Sequence, residues 1–257
     1  MDELLAGGNM NTVRRVGDTV VRNAGPWTPT IHRYLAHLAA SGIDWVPRPV
    51  SFTRDHEVLS FVAGNVPIYP LPDWIWRDDV VVDAAKHLRS LHDASLGFDL
   101  DQAIWQLPTH PPIEVICHND FAPHNLAFDD DHVVGAIDFD TCSPGSRMWD
   151  IAYLATRIVP LTAVHPTGAP RDDQSRRRIQ LLLDSYGSDA DWTDVVKVAI
   201  VRLRDLAAFS IRAANELSKP HLLEDAAGYE RDASHLEGVL APNPEGGHSA
   251  PAPGGAA

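Results

Sequence analysis

The stretch that most restricts the fold runs from Cys117 to Asp140, CHNDFAPHNLAFDDDHVVGAIDFD. It sets His118, Asp120, His124, Asn125, Asp138 and Asp140 among short apolar runs. Those runs, Val115–Cys117, Leu126–Phe128 and Val133–Ile137, read as buried strands, with a turn at Asp129–Asp131. Polar and ionisable groups so close to a core are tolerated only when paired, hydrogen-bonded or bound to a cation. The segment is therefore a functional site or a polar loop satisfied by Asx-turns.

The flanking sequence supplies two different surroundings for it. On the N-terminal side, Thr12–Val16 and Thr19–Arg22 read as strands joined by the hairpin signal Gly17-Asp18. Thr28-Pro29 reads as a helix N-cap followed by Pro at the first helical position. Ile31, Tyr34, Leu35 and Leu38 then fall on one helical face up to Ser41-Gly42. Two further strands, Pro49–Phe52 and Glu57–Phe61, flank the turn Thr53–His56. The segment GNVPIYPLPD, with three prolines and a glycine, is a linker or crossing. A helix is predicted over Asp78–His92, and helices again over Arg147–Arg157, Asp172–Tyr186, Trp192–Leu217 and Leu222–Leu236. The pattern predicts an α+β architecture. A small antiparallel sheet lobe takes residues 1–62 and a larger, mainly helical lobe residues 63–240. The Pro/Gly/Ala-rich residues 241–257 are expected to be disordered.

Composition excludes some partners. With 21 basic and 35 acidic residues the formal net charge is −14, and no basic stripe offers a footprint for nucleic acid or an anionic membrane. The balance suits a cationic substrate, although acidity for solubility explains it equally well. No segment is apolar enough to span a bilayer and the start, MDELLAGGNMN, does not read as a signal peptide, so a cytoplasmic location is expected. Cys117 and Cys142 form no CxxC and read as interior space-fillers.

The spacing His118-x-Asp120-x-x-x-x-Asn125, followed by Asp138 at a strand end, suits phosphoryl transfer from a nucleotide. That reaction needs a carboxylate beside the attacking hydroxyl, to orient it and take its proton late. It also needs hard oxygen ligands for Mg²⁺. Asp120 fits the base; Asn125 and Asp138, brought together by the intervening hairpin, fit the ligands. A zinc site from His118, Asp120 and His124 is open on ligand type but lacks a recognised spacing.

His-x-Asp-x-x-x-x-Asn followed by Asp-Phe is the catalytic-loop and metal-loop pairing of eukaryotic-like kinases. In detail, CHNDFAPHNLAF…VVGAIDFDTCSPGSRMWDIAYLA resembles the aminoglycoside phosphotransferase and choline kinase superfamily. The resemblance implies a two-lobed protein-kinase-like fold and a kinase of a small-molecule hydroxyl with ATP or GTP as donor and Mg²⁺ as cofactor. Residue by residue it implies Asp120 as base and Asn125 and Asp138 as metal ligands. Asp140 would support metal or substrate, His118 would fix the loop, and Asp150 would anchor it from a helix start. Known acceptors in the superfamily include aminoglycosides, macrolides, choline, homoserine and sugars. The acidic chain points to an aminoglycoside-like or other cationic acceptor.

The nucleotide end departs from the kinase pattern. The turn around Gly7, Gly8 and Asn9 lacks G-x-G-x-x-G, though its N–H groups suit phosphate oxygens. Arg22 stands where the family has lysine, as a phosphate contact or in a surface ion pair. The following helix offers Ile31-His32-Arg33-Tyr34 where a glutamate partner is expected. Ser60, Phe61 and Val62 are expected to meet the adenine edge. Trp74, Trp76 and Trp105 read as core or acceptor-pocket residues. Arg202, Arg204, Asp205, Arg212 and Glu216 read as a solvated ion-pair face, and His92 as a hydrogen-bonded structural histidine. Two other classes stay open: a nucleotide-binding protein without catalysis, suggested by Arg22 and the absent glutamate, and a metal-dependent hydrolase built on the histidines.

Overall fold

The computed structural model describes residues 2–4, 13–170 and 172–241; the tail assigned to 241–257 lies almost wholly outside them. Strands β1 (Asp2–Leu4), β2 (Arg14–Val16), β3 (Thr19–Asn23), β4 (Pro49–Phe52) and β5 (His56–Ser60) form one antiparallel sheet in the order β1-β2-β3-β5-β4. The Gly17-Asp18 hairpin has the expected two-residue connection, with Val16 opposite Thr19 and Gly17 at φ +62°. Helix α1 (Thr28–Ala40) buries Ile31, Tyr34, Leu35 and Leu38, the predicted face. Thr28 is not its N-cap, as the sequence suggested. It is the first helical residue, and its hydroxyl accepts the Gly25 N–H at 2.9 Å.

The remainder is mainly helical. Helix α2 (Asp78–Ala94) buries Val80, Val81, Ala84, Ala85, Leu88 and Leu91. It packs against α4 (Ser175–Tyr186) and against the hairpin of β7 (Leu126–Asp129) and β8 (His132–Ala136). Each buried leucine or valine of that face contributes about 1.5–3 kcal/mol relative to exposure. Helix α3 (Arg147–Ile158) is almost wholly buried. It runs beside α5 (Trp192–Glu216), which pairs with α6 (Leu222–Leu240). The start of α5 is fixed by a capping box, Asp191 and Asp194 each accepting an N–H of the other's segment.

The segment leaving the sheet is sewn to the β7–β8 hairpin. Asn65 and Phe128 exchange both backbone hydrogen bonds, at 2.7 and 2.9 Å. Two glycines permit the approach. A Cβ on Gly64, which sits at φ +130°, would meet the Ala127 Cβ at 2.9 Å, and one on Gly135 would meet Val62 Cγ1 at 2.4 Å. Two short strands were not foreseen: β1, and β9 (Ser143–Gly145), which pairs with β6 (Val115–Cys117). Both are only three residues long, too short for a period-2 signal. Trp76 is buried, while Trp74 packs edge-on against Phe128 and Trp105 against Phe98. These are packing roles. No helix among the described residues is long and apolar enough to cross a membrane.

Candidate active site

The loop from His118 to Asn125 is held by its backbone. Asp150, fully buried in the first turn of α3, accepts the His118 N–H at 2.6 Å on Oδ2 and the Asn119 N–H at 2.9 Å on Oδ1. Asp150 Oδ2 also meets His92 Nε2 at 3.1 Å, and His92 Nδ1 meets the Tyr186 hydroxyl at 2.7 Å. Burial opposes the charge on Asp150, but hydrogen bonds from His92 and the His118 backbone outweigh it and hold its carboxyl below the ordinary range. His92 is thus a structural histidine, as its sequence position suggested.

His118 is buried between the rings of Phe139 and Phe121. Its Nδ1 accepts the Asp120 N–H at 3.3 Å and its Nε2 lies 3.0 Å from the Ile137 carbonyl. Those partners define a neutral ring protonated at Nε2. Both nitrogens are in use, so the zinc site with Asp120 and His124 has no geometry here. Among the described residues the one group of three His, Cys, Asp or Glu side chains close enough to share an ion is His92, Cys117 and Asp150, and the ring and carboxylate of that trio are already hydrogen-bonded.

Asp120 projects from this frame. Asn125 Nδ2 donates to its Oδ2 at 2.7 Å and to its carbonyl at 3.0 Å, Tyr153 donates its hydroxyl to Oδ1, and His124 Nε2 lies 3.3 Å from Oδ1. Burial would raise the Asp120 pKa, but hydrogen bonds from His124 and Tyr153 bring it down to about 2. The carboxylate is ionised at neutral pH and suits orienting a hydroxyl and accepting its proton late. Asn125 is buried, its Oδ1 takes no part in these bonds, and its carbonyl accepts the Ile137 N–H at 2.9 Å. That bond ties Asn125 to the strand end that presents Asp138. Asp138 itself has φ +64° and a side chain 47% exposed.

Arg22 is the centre of an acidic cluster. Strand register places it directly opposite Glu57 on β5. Its Nε meets Glu57 Oε1 at 2.7 Å, Nη1 meets Asp138 Oδ1 at 2.7 Å and Nη2 meets Asp140 Oδ1 at 2.6 Å. Arg22 and Glu57 are buried, so the surface ion pair is excluded. The glutamate sought on the helix after β3 comes from the neighbouring strand instead. His32 of α1 occupies the helical position and lies 2.9 Å from Glu57 Oε2. One guanidinium thus faces three carboxylates. Burial, only partly relieved by Arg22 and reinforced by Asp138 and Glu57, pushes Asp140 up to about 7. This surplus of negative charge, with oxygen donors from Asp138, Asp140 and Asn125 at hand, fits a divalent oxygen-loving cation.

The other sequence-chosen nucleotide residues are less open. Gly8 and Asn9 lie outside the described residues. The Ser60 N–H donates to Arg48 O at 2.9 Å and the Phe61 N–H to Asp18 O at 2.9 Å, so two of the three amides chosen for an adenine edge are committed within the sheet. Ser60, Phe61 and Val62 line a cleft of about 500 Å³ with Trp45 and Val134.

Sequence reasoning missed Glu57, His32, Tyr153, Arg157 and Arg202. Arg202 is not on a solvated face: it is 2% exposed, donates to the Asn119 carbonyl and packs on the rings of Trp149 and Tyr153. Arg204 does form the surface ion pairs expected of that face, with Glu230 and Glu237. Tyr153 had a signal, since it follows Asp150 by three residues on one helix and so shares its face.

Sheet, helical body and catalytic loop together define a protein of protein-kinase-like fold. The comparisons with known proteins agree. The aminoglycoside 2′-phosphotransferase-IIIa in complex with GDP matches with a TM-score of 0.64 at 15% identity, over 91% of this chain and 92% of that one. The choline/ethanolamine kinase family protein of Mesorhizobium loti gives 0.65 at 16%, over 92% and 87%. The Plasmodium vivax ethanolamine kinase gives 0.65 at 13%, over 91% and 81%. In sequence, the profile of the phosphotransferase enzyme family matches residues 66–170. The trifolitoxin immunity protein of Rhizobium leguminosarum bv. trifolii is 30% identical over 198 residues, 72% of this chain and 74% of that protein. The chain belongs to the phosphotransferase enzyme family.

Proposed function

We propose that the protein transfers the γ-phosphoryl group of ATP or GTP to a hydroxyl of a small molecule. The observation that carries this reading is the convergence of Asp120, Asn125 and Asp138 through the Asn125–Asp120 and Asn125–Ile137 hydrogen bonds. Asp120 orients the acceptor hydroxyl and takes its proton as the bond to phosphorus forms. Tyr153 and His124 hold its carboxylate in place. Asn125 Oδ1 and Asp138 would hold Mg²⁺, with Asp140 in support. When bound, the ion neutralises the donor phosphates. Arg22 fixes the Asp138–Asp140 turn against the sheet. To touch a phosphate it must exchange at least one of its carboxylates for the nucleotide. Residues 1–62 would carry the nucleotide, with Gly8, Asn9 and Val62 as further contacts, and residues 63–240 the acceptor.

The family includes aminoglycoside kinases, and the likeness to an immunity protein supports an acceptor harmful to the cell that makes the enzyme. Dependence on a nucleoside triphosphate supports a cytoplasmic site of action. The test is release of nucleoside diphosphate by purified protein with ATP or GTP, Mg²⁺ and a panel of antibiotics and small alcohols. Acceptor-dependent release, lost in Asp120→Asn, is the expected result. Turnover that survives Asp120→Asn would overturn the assignment of the base.

A further inference from the structure

Arg157 lies one turn beyond Tyr153 on α3 and is the odd cation of the site. It is half-buried, yet among the described residues no carboxylate forms an ion pair with it, and its Nε is buried without a hydrogen-bond partner. What surrounds it is aromatic. Its guanidinium carbon lies 4.8 Å from the centre of the Tyr153 ring and 5.6 Å from that of Tyr229, and its charge acts on the nearby Tyr69 hydroxyl and on Asp120. These side chains surround Asp120: His124 meets both Asp120 and the ring of Tyr69, Arg157 covers Tyr153, and Tyr153 donates to Asp120. Tyr69, 58% exposed, opens the group to solvent.

We propose that Arg157 is an anion subsite for the acceptor, and that the acceptor carries a carboxylate near the hydroxyl that receives the phosphoryl group. Among the described residues the half-buried guanidinium has no ion-paired carboxylate, Asp120 acting on it only at longer range, and π faces offset only part of the cost of its burial. A carboxylate matches its planar fork. A dianionic phosphate fits less well, because it would face Asp120 and the donor phosphates. Arg202, the other cation on Tyr153, is engaged elsewhere, since it donates to the Asn119 carbonyl beneath the loop. The local charge thus opposes the cationic preference that the net charge of −14 suggested. This inference rests on the proposed transferase reading, since it treats the face of Asp120 as the acceptor site.

Three hydroxyl compounds of different charge test it: N-acetylserine, N-acetylserinamide and serinamide. Calorimetry of the full chain should show N-acetylserine binding about tenfold or more tightly than the other two, the size of one charge-assisted hydrogen bond. Arg157→Met should abolish that preference and Arg157→Lys should keep part of it. Near-UV circular dichroism reports whether each variant folds. If Arg157→Met does not fold, Arg157→Gln takes its place. Equal or tighter binding of serinamide, no binding of N-acetylserine, or a preference that survives loss of the guanidinium would each overturn the proposal. Nucleotide consumption with the same compounds separates the two readings. Charge-selective binding without consumption sinks only the transferase reading, and consumption without charge preference sinks only the anion subsite.

Discussion

Two arginine environments flank the His118–Asn125 loop, and they are unbalanced in opposite senses. Arg22 is one cation among three carboxylates, Glu57, Asp138 and Asp140. Arg157 and Arg202 are cations among aromatic rings and carbonyls, with no carboxylate partner among the described residues. On the acidic side Asp138 is 47% exposed and burial pushes Asp140 up to about 7, so solvent and protonation relieve part of the surplus, whereas on the other side a cation–π contact returns about 0.5–2 kcal/mol. On the proposed readings the sheet side of the loop receives a cation and the helical side an anion. Asp120 stands between them.

The largest effect should come from the residue that joins the two sides. Asp120→Asn should lower turnover by about 10²–10⁴-fold, the usual span for loss of a positioned base, while thermal denaturation stays near wild type. Arg22→Met should follow, because it strands three carboxylates. A loss of about 3–5 kcal/mol is expected from urea denaturation, and added Mg²⁺ should recover more stability in this variant than in wild type. If the variant is as stable as wild type, the acidic side is not held by Arg22 and the contrast fails.

Asp150→Ala removes the shared acceptor of two loop amides and His92, and a loss of about 3 kcal/mol is expected. The same carboxylate sharpens the comparison by pH. Its folded pKa is depressed below the ordinary 3.8, since hydrogen bonds from His92 and the His118 backbone outweigh burial. Its contribution is therefore complete above that value and lost as pH falls through the folded value. A melting-temperature series from pH 6 to 3 should fall more steeply for wild type than for Asp150→Asn. The smallest effect belongs to the exposed face: Arg204→Ala, which breaks the pairs with Glu230 and Glu237, should cost less than about 1 kcal/mol.

Local signals made most of the fold readable. Apolar spacing located α1, α2, α3 and the long α5, and glycine with alternation located the β2–β3 hairpin. The loop spacing named Asp120, Asn125 and Asp138 because those residues lie in one short stretch. What stayed hidden depends on pairing across the chain. Glu57 reaches Arg22 only through the β3–β5 register, and a search of the helix finds His32 instead. Arg202 sits on a helix whose i,i+3 and i,i+4 charges suggest solvent. Only the packing of α5 on α3 turns it beneath the Asn119 carbonyl. The N–H groups of Ser60 and Phe61 show the same limit, since strand residues look available until their partners are known.

The bridge between Asn65 and Phe128 also bears on motion. Beyond Asn65 the chain is riveted to the β7–β8 hairpin, and the Trp45 carbonyl accepts the Ala136 N–H of the same hairpin at 3.1 Å, so the sheet side is tied to it at two backbone points. Ties so placed, beside the hairpin that presents Asn125 and Asp138, oppose sliding of the sheet along that hairpin, and Gly64 at φ +130° is one point where the approach of the two backbones leaves little room for a side chain.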